Sequence, residues 1–392
     1  MGPSRFRITG PLVPYVEGFW SALLGQGYTP LPSANLIRLM AHLSRWLVAK
    51  RLAVEELCQA HIEEFLQFRK QAGYTAFLSK RGLQPLLRYL ERAGALSLRQ
   101  EEEGAQTPLG RLLESYKNYL LRERALTFPT VRFYLRIARQ FLSEHDGSCR
   151  FTASDVVGFI LQETRKSSVG FAKYKVTALR SFLRYLYVLG QLTVDLTTAV
   201  PSVAGWRLAF LPRALAPEDV QRLLRSCDRR RDFAILLLLS RLGLRRGEVA
   251  SLVLDDIHWT QAEVVVQSKG HQGDRLPLPH DVGKALVSYV CRSRPRVDSR
   301  SLFLRMRAPY HGLDPSAVTA IVHRACQRAG LATVGAHRLR HTAATEMLRH
   351  GASLSEIAHV LRHRDLNTTA IYAKVDRTTL RTLAQPWPGG AA

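Results

Sequence analysis

Along about the first 200 residues, apolar side chains recur every three or four positions. "LIRLMAHLSRWLV" (Leu36 to Val48) and "VRFYLRIARQFL" (Val131 to Leu142) show the period plainly. A helix turns once in 3.6 residues, so this spacing gathers the apolar groups on one face and predicts amphipathic helices.

The pattern also repeats at long range. "LQPLLRYLERAGAL" (Leu83 to Leu96) aligns with "LRSFLRYLYVLGQL" (Leu179 to Leu192) at an offset of 96 residues. Leu87, Arg88, Tyr89, Leu90 and Gly94 match Leu183, Arg184, Tyr185, Leu186 and Gly190. "RWL" at Arg45 and "QFL" at Gln140, and "HIEEFL" at His61 and "DVVGFI" at Asp155, fall near the same offset. Two copies of one small helical unit are expected. The acidic stretch "RQEEEGAQTP" (Arg99 to Pro108) separates them.

Beyond residue 199 the period disappears. "AVPSVAGWRLAFLPRAL" (Ala199 to Leu215) carries two prolines and a glycine and reads as a connector. The expected plan is a helical domain over 1–100, a second over 105–198, a linker over 199–215 and a third domain over 216–392. That last domain is mixed. Pro217, Glu218 and Asp219 open a helix, and "RRDFAILLLLSRLGL" predicts a buried one ending near Gly243. "EVVVQ" (Glu263 to Gln267) and "RLPLP" (Arg275 to Pro279) predict two strands of a hairpin around "SKGHQGD". Helices are then expected over 281–293, 315–329, 337–350, 353–361 and 367–374.

Composition narrows the partner. Lys and Arg number 56 against 32 Asp and Glu, a net charge of +24. Such an excess calls for a polyanion, and nucleic acid is the usual one. The charge is also unevenly placed: from Ser299 to Thr345 there are seven Arg and one acid, Asp314. The five cysteines are scattered without CxxC spacing, which argues against a zinc ribbon and fits reduced thiols in the cytoplasm. The N-terminus lacks the apolar core of a signal peptide, and the longest apolar run, Ala234 to Leu239, is too short to span a bilayer.

The chemistry-bearing residues cluster in the third domain. They are Arg245 in "LGLRRGEVASL", Lys269 in the hairpin loop, His337 and Arg340 in "HRLRH", and His363 and Tyr372 in "LRHRDLNTTAIYAKV". The spacings His337/His341 and His359/His363 could hold zinc on a helix. However, the glutamate of an HExxH motif is missing and the neighbouring guanidiniums would repel a cation, so no metal and no other cofactor is expected. His341 reads as a structural hydrogen-bonder and His359 as packing or surface. Arg362 and Arg364 read either as a solvated face or as phosphate contacts.

In this order and spacing the residues resemble the catalytic domain of the tyrosine recombinase, or phage integrase, family, over about residues 215–378. One departure is Arg362, where a glycine commonly precedes the histidine. The helical half resembles, more weakly, the family's SAM-like core-binding domain, here in two copies. The resemblance implies a mainly α fold: two small helical domains, then an α+β catalytic domain with a small antiparallel sheet. It implies strand cleavage at specific DNA sites, with Tyr372 as nucleophile and a 3′-phosphotyrosine intermediate. Arg245 and Arg340 would bind the phosphate oxygens. Lys269 would act as general acid, His337 as general base, and His363 as a phosphate hydrogen-bond donor. The resealed bond would recombine two sites, as in integration, excision or transposition of a mobile element.

The expected partner is double-stranded DNA, held by a homotetramer, or a hetero-tetramer with sister recombinases, on synapsed sites; no membrane is involved. Arg88, Lys173, Lys175, Arg180 and Arg184 are candidate phosphate contacts in the helical half, with a solvated face as the alternative for each. A DNA-binding accessory protein or repressor without catalysis, or a relaxing topoisomerase, would share much of this pattern.

Overall fold

The computed structural model describes residues 7–96, 107–145, 151–165, 167–204, 214–267, 273–362 and 368–373. The fold is mainly helical with one small antiparallel sheet. The chain divides into two compact units. One joins residues 1–42 to the chain from 210 onward, and the other spans 43–209. The division falls between His42 and Leu43, inside the first of the predicted helical domains.

The 43–209 unit is built of helices. The end of helix Pro30–Lys50 comes first, then Gln59–Gln71 and Lys80–Arg92, followed by Pro108–Arg122, Phe128–Ser143, Ala153–Thr164 and Val169–Val188. Three of the last four start where the sequence supplies a capping side chain. Thr107, Thr152 and Ser168 each accept a backbone N–H of the first turn, and prolines open two of the helices, where the missing N–H costs nothing. Their apolar faces meet in one core that includes Tyr116, Val131, Phe141, Phe159, Leu179 and Phe182.

Two helices of this unit end alike. Lys80–Arg92 buries Leu83, Leu87 and Leu90, and Val169–Val188 buries Leu179, Leu183 and Leu186. Each is closed by a left-handed glycine, Gly94 at φ 71 and Gly190 at φ 70. After each, a backbone N–H reaches back to the helix, Ala95 to Leu90 O at 3.0 Å and Gln191 to Leu186 O at 2.9 Å. Edge-on aromatic pairs occupy similar places, Trp46 with Phe65 at 5.6 Å and Phe141 with Phe159 at 5.1 Å.

The other unit centres on helix Arg230–Arg241, whose Ala234 to Leu239 are all buried. It packs between helices His280–Arg292 and Ala336–Arg349. The sheet has three strands in the order β1 (Ile257–His258), β2 (Glu263–Gln267) and β3 (Gly273–Pro277). Val264 pairs with Leu276 and Gln267 with Gly273. β1 is two residues long, too short to leave a period in the sequence. Asp314 caps helix Pro315–Arg328 by accepting the Ser316 and Ala317 amides. The N-terminal segment joins this unit through the Tyr310 amide, which donates to Gln26 O at 3.1 Å. Gly27, at φ 85, lies against the Tyr310 ring where a Cβ would collide.

Candidate active site

Helix Ala336–Arg349 carries His337, Arg340, His341 and Ala344 on successive turns of one face. Arg340 is 2% exposed although charged. Its Nη1 donates to Gly243 O at 2.6 Å and its Nη2 to Leu361 O. These bonds tie the turn after the buried helix to the end of helix Leu354–Leu361. Gly243 has φ 59, and a Cβ there would meet the Leu361 side chain. Burial pulls the Arg340 pKa down to about 10, with Arg245 adding to the effect and Glu248 opposing it. The guanidinium therefore stays charged at neutral pH.

Arg245 precedes the short helix Arg246–Ser251. Its backbone N–H donates to Glu248 Oε2 at 2.8 Å and its Nη1 to Oε1 at 2.6 Å. A third bond runs from Arg245 Nη2 to Arg362 O at 3.2 Å. Arg362 in turn places Nη2 2.7 Å from Glu248 Oε2.

Tyr372, on helix Ala370–Ala373, is 2% exposed and packs with Ala344, Ile357 and Leu361. Its hydroxyl lies 2.8 Å from His341 Nδ1. Burial first, then His337, Arg338 and Arg340, depress the His341 pKa to about 4. Burial pushes the Tyr372 phenol up to about 12, against the pull of Arg340. Both groups are neutral near pH 7, and the hydroxyl accepts from or donates to Nδ1 according to the imidazole tautomer. His337 stands edge-on to His341, ring centroids 4.4 Å apart. The residue is exposed, yet loss of water around its ring, together with Arg340 and Arg245, lowers its pKa.

Of the six residues expected in the site, the structure brings Arg245, His337, Arg340 and Tyr372 together around helix Ala336–Arg349. Lys269 and His363 lie outside the described residues, as does Arg364. Glu248, His341 and Arg362 join the site from outside the expected set. The glutamate three residues after Arg245 was a visible signal for the first. The buried ion pair of Arg362 was not readable, because its partner is 114 residues away. His359 is exposed. Among the described residues no group of His, Cys, Asp and Glu could hold a metal ion.

The helical candidates separate. Arg88, Lys173 and Arg184 are exposed. Arg180 donates from Nη2 to Val200 O at 2.6 Å and, with Arg124, Arg184 and Thr177, lines a cleft of about 500 Å³. Lys175 does not fit a phosphate-contact role. It is 8% exposed, and its ammonium sits 2.8 Å from Glu163 Oε2 and 2.6 Å from Glu163 O. Its place on the buried face of its helix spends the charge inside the unit.

Residues 213–379 match the model of the phage integrase family. The chain belongs to that family. It is 40% identical over 395 aligned residues to y4rA of Sinorhizobium fredii, named as an integrase/recombinase, covering 97% of this chain and 96% of that one. It is 30% identical to the tyrosine recombinase XerD of Listeria monocytogenes, covering 69% of this chain and 96% of XerD. Among solved structures, XerH site-specific recombinase bound to a palindromic difH substrate in a post-cleavage complex shares the fold. Its TM-score is 0.56 at 19% identity, covering 83% of this chain and 95% of XerH.

Proposed function

We propose that this protein cuts and rejoins double-stranded DNA at specific sites, with Tyr372 as the nucleophile. The phenolic oxygen attacks a backbone phosphorus, forming a tyrosyl 3′-phosphodiester and releasing a 5′-hydroxyl. Attack by a 5′-hydroxyl, the same or another strand's, reverses the step. Bond energy is kept in the covalent intermediate, so no nucleotide is consumed. One observation carries the reading: the Tyr372 hydroxyl is held by His341, one residue from Arg340.

Arg340 and Arg245 supply permanent charge for the non-bridging oxygens as the phosphorus becomes five-coordinate. A phenol held near pKa 12 needs its proton removed as it attacks. His337 is the base for that proton, with His341 beside it on the hydroxyl. Lys269 protonates the leaving 5′-oxygen, and His363 donates to a phosphate oxygen. The buried phenol must leave its pocket to reach DNA, so the described arrangement is the resting one.

The partner DNA is gripped through its phosphates by the helical half, with Arg88, Lys173, Arg180 and Arg184 as contacts. Four protomers, of this chain alone or with sister recombinases, hold two sites together in the cytoplasm. The matched glycine-closed helices and aromatic pairs support a duplicated helical domain, 1–100 and 105–198, ahead of a catalytic domain over 216–392. The substrate DNA belongs to a mobile element that is integrated, excised or transposed. The test is incubation of the full chain with a pool of randomised duplexes, followed by denaturing electrophoresis. Duplexes retained covalently, and carrying new 5′-hydroxyl ends, support cleavage. Duplexes shifted only on native gels would point to binding alone.

A further inference from the structure

Arg362 combines three features that a solvated arginine would not. Its backbone is left-handed, φ 55 and ψ 50, a conformation that glycine adopts freely and that side chains with a Cβ resist. Its carbonyl oxygen accepts from Arg245 Nη2 at 3.2 Å. Its side chain is 5% exposed, and the guanidinium donates to Val360 O at 2.9 Å and pairs with Glu248 Oε2 at 2.7 Å.

Glu248 is the shared anion. Its side chain is 9% exposed, and the carboxylate meets two guanidiniums, Arg362 on Oε2 and Arg245 on Oε1. Burial alone would push this carboxyl up; Arg362 and then Arg245 outweigh it and hold its pKa below the usual range. Arg245 is the member of the trio that faces solvent, with its side chain 45% exposed. One carboxylate between two guanidiniums leaves one net positive charge beside Arg340. Without Arg362, Glu248 and Arg245 would form a pair of zero net charge, and the whole carboxylate would fall to Arg245, strengthening its competition with a DNA phosphate for that guanidinium.

We infer that Arg362 is a positioning residue for strand cleavage. It holds Glu248 Oε2 on one side and offers its own carbonyl on the other, so that Arg245 is fixed at Nη1 and Nη2 and the trio keeps a net positive charge for the phosphate. The inference rests on the DNA-cleavage reading above. It also accounts for a strained arginine at a backbone position that suits glycine.

The test compares the full chain with Arg362→Gly and Arg362→Lys. Glycine relieves the left-handed backbone, so misfolding is not the expected outcome. Lysine keeps the charge but lacks the fork that reaches Glu248 and Val360 together. The probe is a nicked form of a duplex recovered covalently from the randomised pool. Binding is read by native gel shift, adduct formation by single-turnover kinetics, and folding by thermal melting. Arg362→Gly should bind within about twofold of the unaltered chain and form adduct at least ~10-fold more slowly, with Arg362→Lys intermediate. Arg362→Gly cleaving at the unaltered rate overturns the inference. So does loss of binding and melting temperature in step with cleavage, with no rescue by lysine, because that pattern marks a residue that only holds the fold. Failure of the unaltered chain to form any adduct is a separate result, which removes the reaction itself.

Discussion

The Tyr372 hydroxyl and His341 Nδ1 lie 2.8 Å apart, the tyrosine buried and the histidine partly so. The proposed nucleophile is thus stored neutral and hydrogen-bonded, not poised in solvent. Replacing His341 by Leu leaves a buried phenol without its hydrogen-bond partner. The expected cost is about 1–3 kcal/mol of stability, measured by urea denaturation. Unchanged stability would show that the hydroxyl finds another partner and that the pair is incidental.

The same pair predicts a pH dependence. The His341 pKa is about 4 in the folded chain against an ordinary 6.5. The fold therefore favours the neutral ring. Above pH 6.5 the ring is neutral whether or not the chain is folded, and stability is full. As pH falls from 6.5 toward 4, the unfolded chain takes up a proton that the folded chain refuses, and stability is lost, by roughly 3 kcal/mol at most. Tyr372 acts at the other end: its raised pKa makes folding weaken as pH climbs past 10 toward 12. Unfolding free energy measured across pH 4 to 7 checks the acid limb, which should shrink in His341→Gln.

Arg340 is expected to be sensitive even to conservative change. Its two Nη atoms hold two different carbonyls, a geometry that a lysine ammonium cannot reproduce. Arg340→Lys should slow adduct formation about 100-fold, in the range found for loss of one oxyanion donor. A rate within threefold of the unaltered chain would mean that charge alone suffices.

In the helical half, two cations should behave differently. Arg184 is exposed and lines the arginine cleft, so Arg184→Ala should reduce the slope of log affinity against log salt by about 1. Lys175→Met should leave that slope unchanged and lower the melting temperature, because Glu163 loses its ion-pair partner in a partly buried setting. Equal slopes for the two variants would mean that burial does not sort the contacts.

Much of the architecture was legible. The helices of both units follow from apolar spacing and from caps such as Thr107, Ser168 and Asp314, which act through neighbours one turn away. The grouping of Arg245, His337, Arg340 and Tyr372 was legible because the order of the motifs resembles a known family. What stayed hidden depends on long-range packing. Arg362 looks like any surface arginine until the fold brings Glu248 to it. Lys175 and Lys173 differ in sequence by two positions, yet one faces the core and the other does not. β1 is too short to carry a pattern. The attachment of the first 42 residues to the C-terminal unit depends on Gln26, Gly27 and Tyr310, which no local rule links.

The most direct test of the central claim is to digest a trapped protein–DNA adduct and map the modified residue by mass spectrometry. A nucleotide phosphate on the peptide containing Tyr372, with no adduct formed by Tyr372→Phe, is the predicted result. Phosphate on any other residue, or an undiminished adduct in that variant, would contradict the account.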